Sequence, residues 1–190
     1  MATLFVDKID PQSGTSLEIG SSGDTITIPS GATITNNGTQ TGFGGTNTPA
    51  FEAYLSSNQT ISQSTYTKVN FDTEIFDTDN CYDNSSNYRF TPTTAGKYFC
   101  FYQIQSSWTG SNGPWNINSR FVFNGSASST LGASNFVDFS NTVDMVMSSI
   151  QSGIITFNGS SDYLEIQHNS NASTPRIDSK SYFGAYKIIQ

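Results

Sequence analysis

The sequence predicts an all-β protein: an antiparallel two-sheet jelly roll preceded by a short segment of β repeats. Three observations carry this. From residue 50 onward turn-forming residues recur roughly every eight to twelve positions, no stretch repeats its apolar residues at helical spacing, and aromatic residues make up 13% of a chain that is only 12% charged. The 14 Phe and 9 Tyr exclude a disordered chain even though the apolar fraction is just 35%. Rings of that size bury enough area to offset chain entropy, and the Ser, Thr, Asn and Gly around them suit half-buried strands joined by turns. A length of 190 residues fits one ordinary domain and an appendage.

Charge excludes several classes of partner. The net charge is −7, and the eight basic residues, from Lys8 to Lys187, are scattered along the chain. A phosphate backbone or an anionic membrane surface requires basic residues in a stripe or cluster, so neither nucleic acid nor membrane is an expected partner. The opening residues, Met1 to Lys8, lack the basic start and apolar run of a secretory signal. Folding in a cytosol is therefore expected, with Cys81 and Cys100 reduced. Their spacing fits no metal or redox motif.

Residues 14–46 carry a weak repeat of short alternating segments, each closed by Gly or Pro. Leu17 and Ile19, Ile26 and Ile28, and then Ile34 are its apolar positions. The period is too short for a unit with its own core, so each segment needs neighbours to cover its single apolar stripe. Identical chains wound about one axis would supply them, which makes residues 1–46 an attachment segment and trimeric stalk with those five residues as contacts. A flexible linker, or a hairpin lying on the head, is the competing reading. Against a linker, β-branched residues in register gain it nothing. The Gly-rich run 42–45 and Pro49 mark the boundary, and the head is assigned to residues 47–190.

In the head, strands are predicted over 51–55, 67–71, 88–90, 97–106, 116–123, 143–150, 153–157, 162–167 and 182–189. Along 97–106, Tyr98, Cys100, Tyr102 and Ile104 share one face by the two-residue period. The alternate positions Phe99 and Phe101 are also aromatic, which predicts a central strand between two apolar surfaces. Pro92 and Gly96 shape the turn before it.

The segment from Asn87 to Ile104 resembles the strand-turn-strand signature of the C1q/TNF-like family, an aromatic-Thr-Pro run followed by Gly-x-Tyr and alternating apolar residues. Further pieces occur in the family's order. Residues 49–55 look like its opening strand and 68–77 like the next, Tyr82-Asp83 matches the aromatic-Asp pair ahead of the signature, and 181–188 look like the closing strand. There Phe183-Gly184-Ala185 stands where Phe-x-Gly is more frequent. The resemblance covers about residues 49–190 and implies a homotrimer whose protomers pack aromatic faces around a threefold axis. It assigns Phe51, Tyr98, Phe99, Phe101, Tyr102 and Phe183 to the head core or the trimer contacts.

Nothing in the chain assembles a catalytic motif, and no enzyme activity is expected. His168, the single histidine, lies in a polar run that reads as a solvated loop. Neither a nucleophile elbow nor a phosphate-binding loop is present. Asp72, Glu74, Asp77, Asp79 and Asp83 form one acidic cluster. They are read as solvated surface, with Asp72 and Glu74 on a strand and Asp77 and Asp79 in a loop; a structural Ca²⁺ is the alternative, and no other cofactor is implied. The 106–116 run places Trp108, Asn112 and Trp115 among turn formers. Displayed, they would form a loop that stacks on sugar rings; otherwise the tryptophans cap the barrel or fill the trimer axis.

Repeats joined directly to such a head, without collagen triplets, look like bacteriophage fibre and capsid-appendage proteins. The resemblance thus implies a non-enzymatic virion structural protein, a trimeric head fibre, decoration or fibre-tip protein attached to other virion proteins through its N-terminal segment. A host-surface glycan adhesin is the alternative.

Overall fold

Alternation in the 96–108 run builds the longest strand of the structure, and the other strands assemble around it. A computed structural model describes residues 7–38, 47–108, 116–136 and 146–188, with side chains included except at 128–136. The described strands are β1 (Ala50–Tyr54), β2 (Gln59–Thr60), β3 (Thr67–Lys68), β4 (Thr73–Asp77), β5 (Tyr82–Asp83), β6 (Arg89–Phe90), β7 (Gly96–Trp108), β8 (Asn116–Phe123), β9 (Ser126–Phe136), β10 (Val146–Phe157), β11 (Leu164–Ser170), β12 (Pro175–Ile177) and β13 (Tyr182–Lys187). No helix occurs among the described residues.

All pairings are antiparallel and divide the strands into two sheets. In the seven-stranded sheet, β7 is flanked along one edge by β10 and along the other by β13 and β12; β1 and β4 follow β13, and β2 follows β12. The six-stranded sheet runs β5-β6-β11-β8-β9, with β3 also beside β11. The sheets face each other through an aromatic core. Phe51 stacks on Tyr82 and on Phe90 at 4.6 Å between ring centroids and meets Phe183 edge-on at 4.9 Å. Further along, Tyr102 of one sheet meets Phe121 of the other at 4.8 Å.

Several strand bounds differ from expectation for identifiable reasons. The two strands expected over 143–150 and 153–157 are one, because the ladder with β7 carries on through Ser152 and Gly153, opposite Phe101 and Cys100. Strand β9 has almost no large apolar residue and was unmarked by pattern. It is created by its hairpin with β8, where Asn124 and Gly125 both adopt positive φ (50° and 78°), as a tight two-residue hairpin turn requires. Strands β2, β5 and β12, two or three residues each, are too short to show a period.

The chain divides into two compact units, Met1–Phe43 and Gly44–Gln190. In the first, the described residues 7–38 form turns but no strand. Asp24 N donates to Ser21 O (2.9 Å) while the Asp24 carboxylate accepts from Ser21 N (2.7 Å), and Ala32 N donates to Pro29 O (3.1 Å). Leu17, Ile19, Ile26, Ile28 and Ile34 are all exposed. The β segments expected here do not exist as strands in a single chain, which offers them no ladder partner.

Phe51→Ala is expected to cost the head about 3–5 kcal/mol, because three ring contacts vanish and a cavity opens. Thr93→Ala, exposed in the turn before β7, should change stability by less than about 0.5 kcal/mol. Equilibrium urea unfolding of the two variants beside the parent checks the contrast.

Candidate functional site

The outer surfaces of the two sheets are chemically opposite. On the six-stranded sheet, Lys68 pairs with Glu165, and Arg120 donates to Gln167 Oε1 from Nε (3.1 Å) and Nη2 (2.7 Å) while lying 3.5 Å over the Tyr66 ring. These polar groups satisfy one another, with the Glu165 carboxylate buried and paired. The outer face of the seven-stranded sheet carries a run of large aromatic and aliphatic side chains. Phe99 lies in register between Ile154 and Tyr186, Phe101 between Ser152 and Gly184, and Gln103 between Ile150 and Tyr182. One strand further, Glu52 stands opposite Gly184 and Tyr54 opposite Tyr182.

Ring contacts make this face continuous. Phe99 is 5.4 Å from Tyr186 and 6.0 Å from Phe101, and Phe101 is 6.3 Å from Tyr182. Gly184 permits this, because a Cβ there would come within 2.5 Å of Phe101 Cζ; the ring of one strand occupies the space that a side chain on the next would fill. On β10, Ile150 and Ile154 are 62% and 60% exposed, values that mark unpartnered surface rather than core. An apolar face of this kind on an otherwise polar protein marks an interaction surface.

No protein-family model and no curated protein sequence matches the chain. Solved structures do match. Eiger TNF from S. frugiperda superposes with a TM-score of 0.54 at 12% identity, covering 73% of this chain and 91% of that one. Murine APRIL at pH 5.0 superposes with a TM-score of 0.53 at 9% identity, covering 73% and 98%. The head is a TNF-type jelly roll. At these identities the likeness is one of fold alone.

The TNF-type head separates the aromatic residues singled out from the sequence into two groups. Phe51, Tyr98, Tyr102 and Phe183 are core, each at most 1% exposed, whereas Phe99 and Phe101 belong to the outer face. Trp108 is not displayed for sugar stacking. It ends β7 and is 1% exposed, because the strand runs two residues past the expected end at 106 and carries the ring inside. Asn112 and Trp115 lie outside the described residues. Sequence reasoning missed Ile150, Ile154, Tyr182 and Tyr186, whose membership of the face depends on register across three strands. The alternation of Ile150, Ser152 and Ile154 was the available signal.

The acidic residues organise turns. Asp72 accepts from Ser56 N (2.8 Å) and Oγ (2.6 Å). Burial opposes ionisation there, but these bonds outweigh it and hold the carboxyl below its ordinary value. Asp77 closes β4 rather than sitting in a loop, and accepts from Tyr82 N (2.8 Å) and the Cys81 thiol (3.3 Å). Asp83 accepts from Ser86 N (2.8 Å), Ser85 N (3.1 Å) and Asn87 N (3.1 Å), bonds that hold it well below the usual carboxylate range. Among the described residues no group of three His, Cys, Asp or Glu side chains is placed to hold a metal ion. Cys81 and Cys100 are free and buried, and burial raises both thiols far above their ordinary value, which keeps them unreactive.

His168 is not a loop residue. The polar run around it continues β11, and alternation turns His168 inward beside Ser119, whose Oγ is 2.8 Å from its Nδ1, while Nε2 has no hydrogen-bond partner among the described residues. Burial pushes its pKa from 6.5 down to about 4. The folded form therefore binds fewer protons than the unfolded form between these values. Stability is complete above about pH 6.5 and falls by up to about 3 kcal/mol as the pH drops through 4. His168→Gln should flatten this part of the profile, and thermal melts across pH 7.5–4 test it; the loss from Asp83 begins only below about pH 4.

Proposed function

We propose that the chain is a non-enzymatic structural protein that works as a homotrimer, three TNF-type heads associating through the outer face of the seven-stranded sheet above a stalk of N-terminal repeats. The observation that carries this reading is the ring ladder through Phe99, Phe101 and Tyr186, flanked by Ile150 and Ile154. Such a surface is costly to leave wet, and copies of the same chain are the cover that fits three heads on one stalk. The exposed Leu17, Ile19, Ile26, Ile28 and Ile34 have the same need, and winding three chains together meets it.

On this reading the role is that of a virion appendage, a phage head fibre, decoration or fibre-tip protein held to the particle by its N-terminal segment. Support comes from the sequence pattern, apolar repeats preceding a head with an aromatic outer face, and from buried titratable groups that serve folding. The adhesin alternative loses its clearest motif with Trp108 inside the head.

Ile150→Asp combined with Ile154→Asp should convert a trimer to single chains in light scattering after size exclusion while leaving the melting of the head nearly unchanged, since both side chains point away from the core. A trimer that persists contradicts the assignment of the face. Antibody raised against the head should label purified virus particles of the source, and failure to label any particle contradicts the virion role. Binding of the trimer to host glycans would favour the adhesin.

A further inference from the structure

Two opposite charges stand on the outer face of the seven-stranded sheet. Glu52, half-buried on β1, sits amid the face opposite Gly184, whose other neighbour is Phe101. Lys97, exposed on β7, heads the column that continues through Phe99 and Phe101 and stands opposite Thr156. Neither makes an ion pair or a side-chain hydrogen bond among the described residues. Of the other head cations, Lys68 is engaged by Glu165, Arg89 by the Tyr163 ring, Arg120 by Gln167 and Arg176 by Asp178, while Lys180 lies in the turn before β13 and Lys187 falls on β13 at the parity opposite to the outward Tyr186, so neither stands on the outer face. Two strands and four residues separate Glu52 from Lys97, roughly 16 Å between backbones at ordinary strand spacing and rise, beyond the reach of the two side chains.

Covering this face, as the trimeric reading above requires, withdraws both groups from water. A carboxylate shut in among rings without a counter-charge opposes association strongly, and a lysine ammonium does the same. Cyclic association of three copies is head-to-tail, so one part of the face on a copy meets a different part on the next. Such a contact can bring together an acid and a base that the fold keeps apart within one chain. We infer that Glu52 of each copy pairs with Lys97 of its neighbour and that this cross-copy pair sets the register in which the heads associate. The apolar face supplies attraction without direction, and the charge pair selects one alignment of it.

Charge reversal in the full-length chain tests the pair, read as the concentration at which half of the trimer dissociates, by light scattering over a dilution series. Glu52→Lys and Lys97→Glu should each raise that concentration roughly tenfold or more, and the double reversal should return it to within about threefold of the parent. Glu52→Gln, which keeps the side-chain volume, should also raise it. A double reversal no better than the single ones overturns the inference. So does a Glu52→Gln chain that associates more tightly than the parent, the result expected if three Glu52 carboxylates converge on the axis. A parent chain that stays single at every concentration overturns the trimeric reading and the pair with it, whereas a trimeric parent with no rescue overturns the pair alone.

Discussion

Strand β7 is apolar on both sides, and the organisation of the head follows from covering it. Tyr98, Cys100, Tyr102 and Ile104 point inward and are fully buried by the opposing sheet. Phe99 and Phe101 point outward, where the single chain provides only the edges of neighbouring rings and two exposed isoleucines. A β-sandwich has one interior. The second apolar surface of its central strand must be covered from outside the chain or remain in water, and the six-stranded sheet, with its paired Lys68, Glu165, Arg120 and Gln167, has no such need.

The remaining chemistry of the molecule serves the scaffold. Asp72, Asp77 and Asp83 spend their oxygens on backbone amides of the segments between β1 and β6, where several strands are only two residues long and side chains must do what ladders elsewhere do. His168 and the two cysteines are buried small groups whose ionisation the interior suppresses. Titratable groups thus fix turns and fill core, and the outer face of the seven-stranded sheet is left with its exposed rings and isoleucines.

Much of this was legible in the residues, and what was not has physical causes. The two-sidedness of β7 could be read from Tyr98 to Ile104 alone, because aromatic residues at both parities of one strand admit no other reading. The jelly-roll fold was carried by the signature running from Asn87 into that strand. His168 was misplaced because the polar residues beside it suggested a loop, yet cross-strand pairing extends β11 through it and turns the ring inward; Trp108, read as part of a loop, instead ends β7, and its burial fits the reading in which it packs rather than stacks on sugar. Ile150, Ile154, Tyr182 and Tyr186 were invisible as a group because their proximity exists only after three strands align. The N-terminal isoleucines were legible as a pattern in need of neighbours, and in the single chain they are exposed.

On the trimeric reading, one copy cannot finish covering itself. Sedimentation equilibrium of the full-length protein from high to low micromolar concentration addresses this directly. A mass three times that of the 20.6 kDa chain, held across the range, is the predicted result. A soluble species of a single chain mass that melts cooperatively would contradict it.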